Sequence, residues 1–165
     1  MKLYIKQKAF SWRDKFTIKD DNGADRWFAQ GESFSSGRKL RLYDAFGNEA
    51  AFIRQKTMSF QPRYFIELGG AVYTVKSEFT FMHTRISIEG VPWKMNGDAW
   101  AHKFELYDDM GAIMRISKRG FIWGDSYELD ILNPDHELLC LCIALTVECM
   151  QADESEAAMI TSMFF

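Results

Sequence analysis

A chain of 165 residues with 47% hydrophobic and 15% aromatic side chains has the material for one core, and a single domain over residues 1–165 is expected. A formal net charge of −3 offers no broad basic surface for displacing counterions from phosphates, so nucleic acid is not an expected partner. The opening Met1-Lys2-Leu3-Tyr4-Ile5-Lys6 alternates apolar and polar residues where a secretory leader would be uniformly apolar, and it reads as a strand.

The alternation continues along most of the chain. In the first half, about 1–68, it predicts strands near residues 2–8, 15–19, 26–30, 39–44, 49–55 and 63–68. In the second, 71–131, it predicts strands near 71–76, 84–89, 92–96, 102–107, 112–117 and 126–131. Several show burial of one face only, as in Phe16 and Ile18 against Lys15, Thr17 and Lys19. Connections are short and marked by Gly23, Gly47, Gly69, Gly70, Gly90 and Gly111.

The halves repeat each other. Leu40-Arg41-Leu42-Tyr43-Asp44-Ala45-Phe46-Gly47 is matched 64 positions later by Phe104-Glu105-Leu106-Tyr107-Asp108-Asp109-Met110-Gly111. Each copy is a strand running into an Asp-x-x-Gly turn, where Asp accepts from nearby backbone and Gly takes positive φ. The match extends outward from Trp27-x-x-x-Gly31 and Trp93-x-x-x-Gly97 to Tyr64-x-Ile66-x-Leu68 and Tyr127-x-Leu129-x-Ile131. The shared order and nearly constant offset point to duplication.

After the last strand, Asn133-Pro134-Asp135-His136-Glu137 has a capping residue, a proline suited to a first helical position and acids at the positive helix end. A helix over about 134–151 is predicted, followed by a tail at 152–165. Leu138–Val147 is apolar on every side, too short for a bilayer span of roughly 20 residues and suited to a buried core helix. About twelve antiparallel strands closed into a barrel enclose more space than eight strands, whose own side chains fill the interior. The helix is the filler: about 18 residues at 1.5 Å each span roughly 27 Å.

With its duplicated Leu-Tyr-Asp-x-x-Gly hairpins, about twelve strands and late apolar helix over Leu138–Met150, nearly the whole chain resembles the LURP-one-related family, in the tubby C-terminal-like group. The resemblance implies a twelve-stranded β barrel around a central hydrophobic helix. From tubby domains, which bind phosphoinositides, and from related scramblases, which act at membranes, it implies contact with lipid head groups. The LURP-one-related branch itself implies no particular activity.

No catalytic, cofactor or metal constellation is predicted. His136 and Cys140 share a helix face at i and i+4, but a tetrahedral metal site needs further ligands, and His83 and His102 have no ligand spacing. Cys140, Cys142 and Cys149 lie in one apolar helical stretch, where thiols behave as small buried hydrophobes and a reducing cytoplasm is the expected compartment. The acid pairs Asp20-Asp21, Asp108-Asp109 and Asp153-Glu154 are expected in turns or at a helix end. Trp12, Trp27, Trp93, Trp100 and Trp123 are expected to cover barrel ends, with an exposed binding patch as the alternative.

The expected function is therefore that of a non-catalytic binding or scaffold domain, peripheral at most to a membrane, contacting a lipid head group or a protein. The alternative is a small enzyme whose site is assembled from distant loops. The expected anionic-lipid contacts are Arg54, Lys56, Lys118 and Arg119, which close equivalent hairpins in the two halves.

Overall fold

The computed structural model of the chain describes residues 1–6, 15–32, 36–80, 83–98, 103–119 and 126–164. Twelve described strands form one closed barrel in which each pairs antiparallel with its sequence neighbours and the last pairs with the first. The first half supplies β1 (Lys2–Lys6), β2 (Lys15–Asp20), β3 (Asp25–Gly31), β4 (Lys39–Tyr43), β5 (Glu49–Gln55) and β6 (Arg63–Leu68). The second supplies β7 (Ala71–Thr80), β8 (His83–Glu89), β9 (Lys94–Asp98), β10 (Lys103–Asp108), β11 (Gly111–Arg119) and β12 (Ser126–Ile131). A helical turn at Pro134–His136 then leads into α1 (Glu137–Phe164).

Duplication is visible in the ladder. The register shifts between Leu42 and Tyr43 in the β4–β5 hairpin, and between Leu106 and Tyr107 in β10–β11, at equivalent points of the repeat. Tyr43 pairs with Glu49 but Tyr107 with Ala112, so the second turn is one residue shorter; this is why the sequence offset drifts from 64 to 63. Asp44 accepts from the Phe46 and Asn48 backbone N–H groups at 2.9 Å, and Asp108 from those of Met110 and Gly111 at 2.7 and 3.1 Å. The repeated glycines are also equivalent: Gly31 pairs with Leu40 and Gly97 with Phe104. A Cβ on Gly97 would lie 2.1 Å from Phe104 Cδ1 and 2.6 Å from the Lys103 carbonyl oxygen, so the position excludes a side chain.

Alternation directs Leu3, Ile18, Leu42, Ile53, Ile66, Val75, Met95, Leu106, Met114 and Leu129 inward, where they meet α1. Residues 139–150 of α1 are all buried, on every face of the helix. Asn133 caps the helical turn by accepting from the Asp135 N–H at 3.0 Å.

Several boundaries differ from expectation. Strand β9 begins at Lys94, after Pro92, which has no N–H to give a ladder. Strands β7 and β11 run beyond 76 and 117, to Thr80 and Arg119. The segment expected as a tail is helical: α1 continues unbroken to Phe164 instead of ending near 151. Residues 152–164 contain no Gly or Pro and are rich in Ala, Glu and Met, so nothing in their local preference stops the helix.

Candidate functional site

Because neighbouring strands alternate in direction, the barrel has two distinct ends. The lower end carries the tight turns after β2, β4, β6, β8 and β10 and the start of α1; the upper end carries the remaining connections and the point where α1 leaves.

At the lower end Glu137 fixes the helix start. Arg26 donates to both its carboxylate oxygens at 2.6 Å, and the Trp27 indole N–H donates at 2.8 Å. Burial pushes the Glu137 carboxyl up, but the Arg26 and Trp27 hydrogen bonds outweigh it and hold the carboxyl below its usual range. His136 meets Trp93 edge to face, ring centres 4.9 Å apart. The repeat-equivalent Trp27 and Trp93 thus serve the helix entrance and are not part of an exposed patch. Trp12, Trp100, Trp123 and His102 lie outside the described residues, as does the side chain of His83.

At the upper end two carboxylates of α1 face opposite halves of the barrel. Asp153 accepts from Tyr64 Oη at 2.7 Å, from Gln55 Nε2 at 2.9 Å and from Arg38 Nε. Glu148 lies against Tyr127, the repeat equivalent of Tyr64, and Lys118. Burial pushes the Glu148 carboxyl up to about 7, against the lowering influence of Tyr127 and Lys118. Duplicated tyrosines therefore grip one helix through two different acids. Sequence reading placed Asp153 in an acid pair expected at a turn or helix end and gave Glu148 no role. The equivalence of Tyr64 and Tyr127, both inward-facing at the same barrel end, was the available signal.

The thiols are packing groups. Cys140, Cys142 and Cys149 are all buried, and burial pushes Cys140 up to about 12 and raises the other two further, so the nucleophilic thiolate is strongly disfavoured. Among the described residues no three His, Cys, Asp or Glu side chains converge as metal ligands. Asp20 accepts from the backbone N–H groups of Asn22 and Ala24, and is a turn residue like Asp44 and Asp108. An open depression of about 490 Å³ on the outer wall is lined by Phe28, Tyr43 and Phe46 beside Lys15 and Asp44.

Arg54, Lys56 and Lys118 all lie at the upper end, with Arg119 closing β11 there and its side chain outside the described residues. Strands β5 and β11 stand six apart in a ring of twelve, so the two pairs occupy opposite sides of the rim and do not form one pocket. Arg54 Nε donates to Glu67 at 2.8 Å while its guanidinium lies 4.4 Å over the Phe65 ring. Lys118 is near Glu148. Lys56 is exposed and makes no salt bridge with a described residue.

Exposed apolar groups lie at both ends: Phe46, Val72, Met110 and Leu132 at or beside the lower turns, and a second set at the upper end. Met58 and Phe60, between β5 and β6, are fully exposed at 102% and 111%. Beyond Asp153, α1 leaves the barrel and exposes Met159, Ile160, Met163 and Phe164. Sequence reading missed this surface because it treated 152–165 as a tail.

The comparisons agree with the architecture. A solved X-ray structure of an Arabidopsis thaliana protein superposes with a TM-score of 0.61 over 89% of each chain at 16% identity, which supports the fold. The uncharacterized protein YxjI of Bacillus subtilis (strain 168) is 36% identical over 159 residues, covering 95% of this chain and 98% of its own. The family described as LURP-one-related matches residues 1–149, from β1 through the buried stretch of α1. The chain belongs to the LURP-one-related family.

Proposed function

We propose that the protein is a non-catalytic binding or scaffold domain whose working surface is the upper end of the barrel, and that its partner is a protein. The observation that carries this reading is the exposure of Met159, Ile160, Met163 and Phe164 on one helix beyond the rim, at the same end as Met58 and Phe60, whereas the exposed Phe46 and Met110 of the lower end each stand in a separate tight turn. Support also comes from the buried titratable groups, which hold α1 in place: Glu137 at its start, Glu148 and Asp153 near its exit. An enzyme would be expected to converge such groups on an open cleft.

A second reading has a specific observation of its own. The strand ends at the upper rim carry Lys39, Arg54, Lys56, Arg63 and Lys118, whereas the lower turns carry Asp20, Asp21, Asp44, Asp108 and Asp109. A net charge of −3 therefore conceals a polarity along the barrel axis, which favours weak contact of Arg54, Lys56, Lys118 and Arg119 with anionic lipid head groups at about 1 kcal/mol per cation.

Two measurements separate the readings. A photo-crosslinking amino acid at Met58 is expected to trap discrete protein adducts in cells, and one at Val72, exposed near the lower end, is not; equal yields from both positions would overturn the protein reading. Wild type is expected not to pellet with anionic liposomes at physiological salt. Pelleting that is lost on charge reversal of Arg54, Lys56, Lys118 and Arg119 would install the lipid reading instead.

A further inference from the structure

We propose that the open depression on the outer wall of β2, β3 and β4 binds a proline-rich peptide in the extended polyproline conformation, with an acidic residue at one flank. It is a second contact of the protein, independent of the upper end.

Strand alternation builds the site. Ala29 and Gly31 of β3 and Leu40 and Leu42 of β4 are buried toward the helix, so Phe28, Gln30, Arg41 and Tyr43 stand on the outer face. The ladder sets them in two rows across three strands, Thr17 with Phe28 and Tyr43, and Lys15 with Gln30 and Arg41. Phe46, in the turn after β4, is 91% exposed and extends the aromatic row. The resulting depression of about 490 Å³ is open along the wall, which suits a chain lying across it and not an enclosed small molecule.

Duplication singles out this wall. Trp27 and Trp93 are equivalent, so Phe28 corresponds to Lys94 and Gln30 to Asn96, while Tyr43 and Phe46 correspond to Tyr107 and Met110. In the second half Asn96 Nδ2 donates to Tyr107 Oη at 2.9 Å, so both groups are engaged. In the first half the Gln30 amide and the Tyr43 hydroxyl make no hydrogen bond with each other or with another described residue. Where the second wall has a cation and a thioether, the first has two aromatic rings beside two available polar groups.

These groups match one chemistry. A polyproline helix has no internal hydrogen bonds, so its carbonyls are free acceptors, and its pyrrolidine rings pack on aromatic faces. Phe28, Tyr43 and Phe46 supply the faces, and the Tyr43 hydroxyl and Gln30 amide supply donors. Because the ligand is already extended, little conformational entropy is lost on binding. Charge sets the flank. Arg41 is committed to Glu32 and Glu49, whereas Lys15, at the other end of the polar row, is exposed and makes no salt bridge with a described residue. An acidic residue of the peptide pairs with Lys15. A sugar is served less well, because its hydroxyls need acceptors and the Asp44 carboxylate is taken by the Phe46 and Asn48 backbone and the Asn48 amide.

An NMR titration of the full chain tests the site. The probes are octaproline with two glutamates at its N-terminus, octaproline with two glutamates at its C-terminus, and a Gly-Ser peptide of the same length and charge. At least one proline peptide is expected to bind with a Kd of about 100 μM, a weak contact, and to shift amides within residues 15–17, 28–30 and 43–47. The Gly-Ser peptide is expected not to bind. Phe28→Ser should weaken binding at least tenfold, and Tyr43→Phe, which removes only the hydroxyl, at least threefold, both with an unchanged melting temperature. Lys15→Glu should weaken it at least threefold at low salt, and Tyr107→Phe should leave it unchanged. Absence of binding by both proline peptides, equal binding of the Gly-Ser peptide, shifts confined to other parts of the barrel, or indifference to Phe28→Ser overturns the site. Adducts at Met58 are read separately, so either surface can fail without the other.

Discussion

Residues 139–150 and 159–164 belong to one unbroken helix and have opposite surroundings. The first stretch is buried on every side among the inward residues of the barrel; the second leaves the rim and exposes Met159, Ile160, Met163 and Phe164. Between them sits Asp153, tied to Arg38, Gln55 and Tyr64. The contrast shows that an apolar helical residue has no fixed meaning by itself. In the barrel it is core, and removing it should cost folding; beyond Asp153 it is surface, and removing it should leave folding intact.

The largest break in that comparison is a charge in the buried stretch. Leu141→Asp places a carboxylate at a position with no exposure, at a cost of several kcal/mol against a total stability of about 5–15 kcal/mol. Denaturant unfolding should show loss of the cooperative transition. The corresponding charge beyond Asp153, Met163→Glu, should leave that transition in place.

Next comes Glu148, the buried acid of the plug. Its carboxyl is raised from an ordinary 4.5 to about 7 in the folded protein. Below pH 4.5 it is protonated in both states and has no effect. As pH rises toward 7 the unfolded chain releases the proton first, so stability falls, levelling off above 7 at a loss of up to about 3 kcal/mol. Glu148→Gln should therefore be the more stable protein at pH 8 and gain little at pH 4.5. Chemical denaturation at both values checks the sign; an equal effect at the two pH values would contradict it.

Smaller still is Cys142→Ala, which leaves a small cavity in the plug and should cost on the order of 1 kcal/mol. A thermal melt should shift downward by a few degrees, with contacts at the upper end retained. Smallest is Ile160→Glu with Met163→Glu, where exposed side chains change and stability should move by no more than about 0.5 kcal/mol.

Much of this was legible in the residues. Period-two alternation located the strands, and the repeated Asp44 and Asp108 turns located two equivalent hairpins, because both signals are local. The buried plug was evident from an apolar stretch with no polar face. What was not legible depends on partners far along the chain: Asp153 is 89, 98 and 115 residues from Tyr64, Gln55 and Arg38. The cations were found at equivalent positions, but their separation around the rim requires barrel order, and the engagement of Arg54 by Glu67 requires the sheet's three-dimensional arrangement. The projecting helix was missed for a simpler reason. Its acids ended the apolar pattern, although its helix-forming residues did not end the helix.

The central claim is that the barrel is built around the buried stretch of α1 and does not depend on the projecting segment beyond Asp153. Two truncations test it directly, one ending at Asn133 and one ending at Asp153, compared with the full chain by thermal and denaturant unfolding. The chain ending at Asp153 keeps the plug and its Arg38, Gln55 and Tyr64 contacts, and should melt cooperatively within a few degrees of the full chain. The chain ending at Asn133 loses the whole plug and should show no cooperative transition. A soluble 1–133 fragment with a sharp, full-chain-like melt would contradict the account.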